Sequence, residues 1–454
     1  MAATARNGVV TFGLALAMPL SWAMSLAEAF DAARSYDPQY RGESFALTSA
    51  QQAVPIARSS LLPLVSLNVS NADVSGSREF SNVSNQNVTT HLDYSSPQTS
   101  LSLRQPIFNY EAMSRYKQAQ SQVEGAEAQF RARGLELVDR LTGAYMQTLL
   151  ARTALNLAQT EVISLQAQSA RAEQRQLRGE GTRIEEAQAR ASLDQARFRV
   201  IDGQDQVDVA ASKLRRLTGI DTNWLAGAPL EYRPGPLQPK LLQAWLDQAN
   251  EQSPVLEARR QQVEVARANV QRNVAGHLPR LDFVASLSKN RNETISNLNQ
   301  SSALKSVGVQ LSVPLYSGGG VQASVVQARA DLARAEQELQ AERENIELEV
   351  QRLYLAVHNG VARFDALTRV VQSSEITLQG ITRAQDAGLA TIADVLDAQT
   401  KLFSANRDLV QARYEYLASR ARLMSQVGSP MQRVIDDLGQ ILSVKTDIQK
   451  SAAP

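Results

Sequence analysis

The chain contains no cysteine, which excludes disulfide bonds, thiolate zinc sites, iron–sulfur clusters and cysteine nucleophiles together. It also lacks an excess of either charge, because 47 Lys and Arg stand against 46 Asp and Glu. A net charge of +1 excludes a broadly basic nucleic-acid-binding protein. The three histidines, His91, His277 and His358, lie far apart in sequence. We therefore expect no metal site and no cofactor.

Motifs for catalysis and long apolar runs are missing as well. There is no GxSxG or HExxH motif, and the run Gly318–Gly320 lacks the Lys-Ser/Thr pair of a phosphate-binding loop. The sequence therefore predicts no catalytic residues. No tract after the N-terminus approaches 18 consecutive apolar residues, which argues against a helical membrane span.

The first 23 residues form a separate segment. Arg6 is the only charged side chain before Glu28, and a mostly apolar stretch runs from Val9 to Leu20. Small residues precede a possible cleavage site after Ala23, so residues 1–23 are predicted to be a secretory signal peptide. The alternative is a buried N-terminal helix. Since no cysteine follows the cleavage site, we expect no acylated N-terminus.

Two halves of the remaining chain resemble each other. Gly179 and Thr182 are echoed by Gly388 and Thr391, and the same offset aligns about a hundred residues without a gap. A cluster of prolines separates the halves, as expected for a connector between duplicated units. The predicted parts are a first repeat over 24–219, a connector over 220–240, a second repeat over 241–428 and a C-terminal tail over 429–454.

Proline placement shows where long helices can form. No proline lies between Pro106 and Pro229 or between Pro314 and Pro430. Because proline inside a helix costs about 3 kcal/mol, these tracts can be continuous helix. The first tract predicts a helix from about Glu111 to Arg178, which would be about 100 Å long.

Apolar residues of the second tract follow the four-three spacing of a coiled-coil seam. Shorter helices near Leu26–Ser60 and Thr182–Leu217 together match one long helix, so each repeat predicts an antiparallel rod. Glycines interrupt the tracts at predicted helix tips, residues 178–182 and 387–391. The seam residues are Ile346, Val350, Leu353, Val357, Phe364, Leu367, Val371, Leu378 and Ile381.

Two segments between the helices, about 61–106 and 278–316, alternate apolar and polar residues. This alternation predicts a β-hairpin in each segment with one wet face. The apolar face meets either a soluble core or lipid. Four strands cannot close a membrane barrel, in which open edges are forbidden. Copies would have to pool their strands, two copies giving eight and three giving twelve.

The chain after residue 23 resembles the TolC family of bacterial outer-membrane channel-tunnels. The resemblance rests on the duplicated plan, on Leu-Pro before each first strand, on Pro314–Gly319 and on the tip segment Gly388–Ala398. It implies a mainly α protein with a membrane β-barrel, assembled as a homotrimer. The twelve-stranded barrel would continue into a long α-helical barrel in the periplasm of a Gram-negative bacterium.

The same resemblance implies a function without catalysis. Such a protein is the outer-membrane exit duct for proteins or small toxic molecules, in contact with outer-membrane lipid. Its partners would be a periplasmic adaptor and an inner-membrane ABC or proton-driven pump, with no nucleic acid. The absence of acylation favours the type I secretion branch. The alternative is a soluble periplasmic coiled-coil adaptor or scaffold, which leaves the four alternating strands unexplained.

The resemblance also implies the entrance residues. Asp394 and Asp397 lie three apart on one helix face and match the positions that ring the closed entrance in TolC. A ring of carboxylates would attract cations and raise its own pKa values by repulsion. The alternative is a solvated acidic face in which Asp397 pairs with Lys401.

Gate contacts and docking tips complete the expectations. Gln385 and Glu185 occupy the positions of one family gate link, and a hydrogen bond between them could replace it. Ala390 and Ile184 occupy the other link, which is therefore lost. Arg183 lies beside it, either as a new partner for a nearby carboxylate or as an exposed charge. The expected adaptor-docking residues are Gly179, Gly181, Gly388 and Leu389.

Overall fold

The computed structural model describes residues 24–442 except 82, 84, 222–224, 230–231 and 294–298. The predicted signal peptide and the end of the predicted tail, 443–454, lie outside the described residues. In chain order the elements are α1 (Leu26–Tyr36), α2 (Pro38–Gln51), α3 (Ala53–Ser59), β1 (Leu64–Ser81), β2 (Asn87–Phe108), α4 (Tyr110–Leu177), α5 (Arg183–Thr218), α6 (Leu242–Gln252), α7 (Pro254–Val274), β3 (Arg280–Glu293), β4 (Asn299–Ser312), α8 (Gly320–Asp386), α9 (Ile392–Gln426) and α10 (Met431–Ile441).

Two helices dominate the molecule, α4 with 68 residues and α8 with 67. Each is about 100 Å long at 1.5 Å per residue. In α8, six of the nine expected seam residues are buried, and Leu367, Leu378 and Ile381 are partly buried. The four-three spacing therefore identified the face on which this helix packs.

The expectation of one helix near Leu26–Ser60 is wrong, because the structure divides this segment into α1, α2 and α3. Pro38 is the first residue of α2, and the Asp37 carboxylate caps that helix by accepting the Tyr40 N–H at 3.0 Å. Proline has no N–H to donate to the preceding turn, so it begins a new helix. Pro254 begins α7 in the same way after α6 ends at Gln252.

The strands form one antiparallel sheet in the order β1-β2-β3-β4. Because β1 and β4 pair on one side only among the described strands, both edges of this sheet are open. One face is largely apolar and exposed: Leu67, Leu101 and Leu287 lie side by side across three strands, and Lys305 ends this row on β4. The opposite face carries mainly small polar side chains at this level. Among the described helices none is long and apolar enough to cross a membrane.

The helices form a layer below the sheet. Helix α4 packs against α5, α7 and α9, and α8 packs against α7 and α9. In the half of the layer farther from the sheet, α5 and α8 are therefore the outermost helices. Exposed apolar side chains remain on both, including Phe198 and Ile201 on α5 and Leu348 and Ile376 on α8. The helical layer is thus open at its edges, as the sheet is.

Two tyrosines at equivalent positions of the repeats, one on each long helix, bond to the backbone of neighbouring non-helical segments. The Tyr145 hydroxyl lies 2.8 Å from the carbonyl oxygens of both Met24 and Ala226. The Tyr354 hydroxyl donates to the Lys240 carbonyl oxygen at 2.5 Å. These contacts hold both ends of the 220–240 connector against the long helices.

Candidate functional site

The two helix tips share one turn design. At the second tip Gly388 has a φ of 75°, and the Leu389 N–H donates to the Ala384 carbonyl at 2.8 Å. At the first tip Gly179 has a φ of 77°. Glycine adopts this left-handed conformation without a side-chain penalty, so each long helix ends in a Schellman turn. The predicted tip turns thus follow from the backbone freedom of these two glycines.

Each returning helix begins with a capping box. Thr391 Oγ1 accepts the Asp394 N–H at 3.2 Å, and the Asp394 carboxylate accepts the Thr391 N–H at 2.8 Å. Thr182 and Glu185 form the same reciprocal pair in α5. This role was not predicted, although a Thr followed three residues later by an acidic residue is its recognised signal.

The structure places both predicted ring residues on the exposed face of α9, opposite the buried Val395. Hydrogen bonds from the Thr391 side chain and backbone lower the pKa of Asp394 below its ordinary value. This direction opposes the rise expected from a ring of carboxylates. Asp397 forms an ion pair with Lys401 at 2.7 Å, so the alternative pairing is present in the single chain.

The expected gate residues are engaged separately within one chain. Glu185 accepts from its own capping partner, whereas Gln385 accepts from the Gln168 amide at 3.5 Å. Arg183 is exposed and makes no ion pair with a described residue of the same chain. A contact between these residues in neighbouring copies stays a prediction.

The tips expose three large apolar side chains, of which Leu389 was an expected docking residue, Ile184 was expected only as a lost gate position and Leu177 was not predicted. The exposed fractions are 76% for Leu177, 70% for Ile184 and 84% for Leu389. We call these three residues, together with Gly179 and Gly388, the tip surface. Several large apolar side chains on otherwise polar helices form an attractive surface for a protein partner.

A small hydrophobic cluster lies next to the tip surface. Leu165 of α4, Leu193 of α5 and Ile392 of α9 are buried together, so the second tip rests on the first coil. Farther from the tips, Arg199 of α5 forms an ion pair with Glu161 of α4 at 2.7 Å and lies over the Phe403 ring of α9. These contacts join the two coils, and they give the tip surface a rigid support.

The fold and the tips define a class of protein: an outer-membrane channel subunit with a duplicated helical layer below an open-edged sheet. A family model described as outer membrane efflux protein matches residues 29–220 and 245–429. The chain belongs to this family, and the resemblance drawn from its sequence is confirmed. Its location is accordingly the outer membrane, with the helices extending into the periplasm.

Relatives and solved structures agree with this assignment. The chain is 31% identical over 410 residues to the alkaline protease secretion protein AprF of Pseudomonas aeruginosa, covering 90% of this chain and 85% of AprF. It is 30% identical to the proteases secretion protein PrtF of Dickeya chrysanthemi, covering 93% and 92%. The outer membrane protein VceC of Vibrio cholerae superposes with a TM-score of 0.77 at 17% identity, covering 89% and 96%.

These findings define the general role. The protein is an outer-membrane component of a secretion or efflux system, which operates with a periplasmic adaptor and an inner-membrane pump. Members of the family are transport channels. The alternative of a soluble adaptor or scaffold is not favoured, because both the family match and the solved neighbours are outer-membrane channels.

Proposed function

We propose that this protein is the exit duct of a type I secretion system whose cargo is a secreted protease, and that it acts without catalysis. The observation that carries this proposal is the pair of relatives named for protease secretion, at 31% and 30% identity over nearly the full chain. Small-solute efflux is the second candidate, since a 24% identical relative is the cation efflux protein CusC of Escherichia coli.

The duct is a homotrimer with a twelve-stranded barrel. Support comes from the open edges of one chain: β1 and β4 lack partners in the sheet, and α5 and α8 end the helical layer. Unpaired strand edges cannot persist in lipid, because their backbone groups would be left without hydrogen bonds. Three copies close both layers at once and hide the exposed apolar residues of α5 and α8.

The tip surface docks the periplasmic adaptor, and an ABC pump drives export through it. Support comes from the exposure of Leu177, Ile184 and Leu389 at the end farthest from the sheet. Asp394 and Asp397 form the cation-selective entrance, with Arg183, Glu185 and Gln385 in contacts between copies.

Export in a reconstituted system tests the proposed cargo. A host that lacks its own exit ducts would express this protein with a protease-dedicated ABC pump and its adaptor. We expect active protease in the medium and none when the duct is omitted. Protease that stays inside the cells, together with restored resistance to small toxic compounds, would favour the second candidate.

A further inference from the structure

The polar face of the sheet contains a level at which all four strands present serine. The pairing register places Ser66 opposite Ser102, Ser102 opposite Ser286 and Ser286 opposite Ser306. Since side chains two residues apart share a face, the neighbouring levels can be traced in the same way. They pass through Ser100 and through Gln98, and no level of the three contains a charged residue. The Ser100 level ends at Leu304, the one apolar side chain of the three levels.

The hydroxyl groups of this face bond to one another. Ser66 Oγ and Ser102 Oγ are 2.7 Å apart, and Ser286 Oγ and Ser306 Oγ are 2.8 Å apart. Two levels farther from the helices, the Ser302 hydroxyl donates to the Asn290 amide oxygen. Six side chains of this face are therefore hydrogen-bonded to one another within the wall itself.

The apolar residues on the opposite face of the sheet indicate which face contacts water. At the level next to the serines, Val65, Leu103 and Val307 lie on that opposite face, and Val65 and Val307 are largely exposed. In a membrane barrel such a row contacts lipid, so the serine face lines the lumen.

We propose that these three levels form a neutral, hydroxyl-lined sleeve that passes an extended polypeptide of mixed charge without binding it. This inference rests on the proposed secretion function. A charged wall would attract one class of segment and repel the other, and an apolar wall would bind apolar segments. A wall of mutually bonded hydroxyls does neither. The next level toward the helices carries Arg104 on the same face, so the neutral stretch is limited to these three levels.

Ion selectivity tests the lining without any cargo. The full-length protein carrying Asp394→Asn and Asp397→Asn provides a background without entrance carboxylates. Adding Ser102→Asp and Ser286→Asp should shift the reversal potential in a KCl gradient toward that of K⁺. The matched pair Ser102→Asn and Ser286→Asn, equal in size but neutral, should leave it unchanged. An unshifted potential in the Asp variant would show that these serines do not line the pore.

Protein export then tests whether the absence of charge in the sleeve matters for passage of the cargo. With wild-type entrance residues, we expect the Asp variant to export a cargo carrying added Lys and Arg several-fold more slowly than wild type. The Asn variant should match wild type. Equal export by all three proteins would overturn the sleeve as a determinant of passage. If wild type exports no protein at all, the proposed function fails, whereas the reversal potential still decides what lines the pore.

Discussion

Asp139 is a carboxyl group that the fold holds away from water. Burial raises its pKa to about 6, against the opposing charge of Arg422. Its Oδ1 atom and the Ser425 hydroxyl are both buried, and their mutual contact opposes this rise in pKa without cancelling it. They border a cavity of about 520 Å³ between α4, α7 and the end of α9. The ionised form of Asp139 therefore opposes folding.

Replacing Asp139 with Asn should make the protein more stable at neutral pH. A raised pKa means that the folded state binds more protons than the unfolded state, so wild-type stability falls as pH rises from about 4 to above 6. Asn carries no charge, so we expect a gain of about 3 kcal/mol at pH 8 and little gain at pH 4. Thermal unfolding followed by circular dichroism at both pH values measures this.

The exposed Asp205 offers a control for that experiment, since Asp205→Asn changes the net charge equally. It should not alter the pH dependence of the unfolding midpoint. An Asp139→Asn protein that behaves like the control would show that the cavity does not disfavour the carboxylate.

The entrance carboxylates call for Asn rather than Ala substitutions, because Asn keeps an oxygen that can accept the Thr391 hydrogen bonds. Replacing Asp394 and Asp397 with Asn should abolish block by a trivalent cation added from the periplasmic side. Carboxylates closer together than the Debye length of about 10 Å at 0.1 M salt bind such an ion jointly. Single-channel conductance with the cation added to each side in turn measures the block. Block that persists would place both residues outside the pore.

The bounds of helices were predictable where nearby proline and glycine residues determine them. The helix expected from Glu111 to Arg178 spans Tyr110–Leu177, because a proline-free tract and a glycine with a left-handed backbone set its limits. The break at Pro38 was missed because the prediction drew one helix through this proline, which instead occupies the first position of α2. The partner of Gln385, Gln168 of α4, was beyond prediction, since this contact depends on how separate helices approach each other.

The second tip turn permits a test that separates backbone shape from surface access. Gly388 has a positive φ, and a Cβ atom there would meet no atom within 4 Å. Gly388→Asn keeps the left-handed turn but adds a side chain, whereas Gly388→Val also strains the backbone by about 1–2 kcal/mol. We expect Val to abolish export without loss of trimers, and export assays with native gels measure both.

The Gly388→Asn variant then shows whether export depends on the shape of the turn or on close approach of the adaptor. Loss of export in Gly388→Asn as well would mean that the adaptor approaches the glycine closely. Normal export in Gly388→Asn alone would assign the requirement to the turn. Normal export in both variants would contradict docking at the tip surface.

At the scale of the whole molecule, the internal duplication predicts how copies join. The hairpins begin with the equivalent pairs Leu64–Arg104 and Arg280–Ser312. The contact between β2 and β3 inside one chain therefore serves as a template for β4 of one copy against β1 of the next. In that template Leu103 lies opposite Ala285.

When the β2–β3 contact is mapped onto the equivalent residues of β4 and β1, it predicts one specific contact between copies. Leu103 corresponds to Leu311, and Ala285 corresponds to Val69, so Leu311 of one copy should lie opposite Val69 of its neighbour. Directly opposite residues of antiparallel strands have Cα atoms about 4.5–5.5 Å apart, which is within reach of a disulfide.

The absence of native cysteine makes this contact directly testable. The double variant Val69→Cys with Leu311→Cys should form disulfides on oxidation and run as a covalent trimer on a denaturing gel, with no larger species, because a closed ring leaves no free edge. Moving the first cysteine by one level, in Leu67→Cys with Leu311→Cys, keeps the same face but lengthens the separation to about 7–8 Å, so it should cross-link poorly. A ladder beyond three copies would mean that the edges do not close. Stronger cross-linking by the shifted pair would mean that the contact between copies does not repeat the contact within the chain.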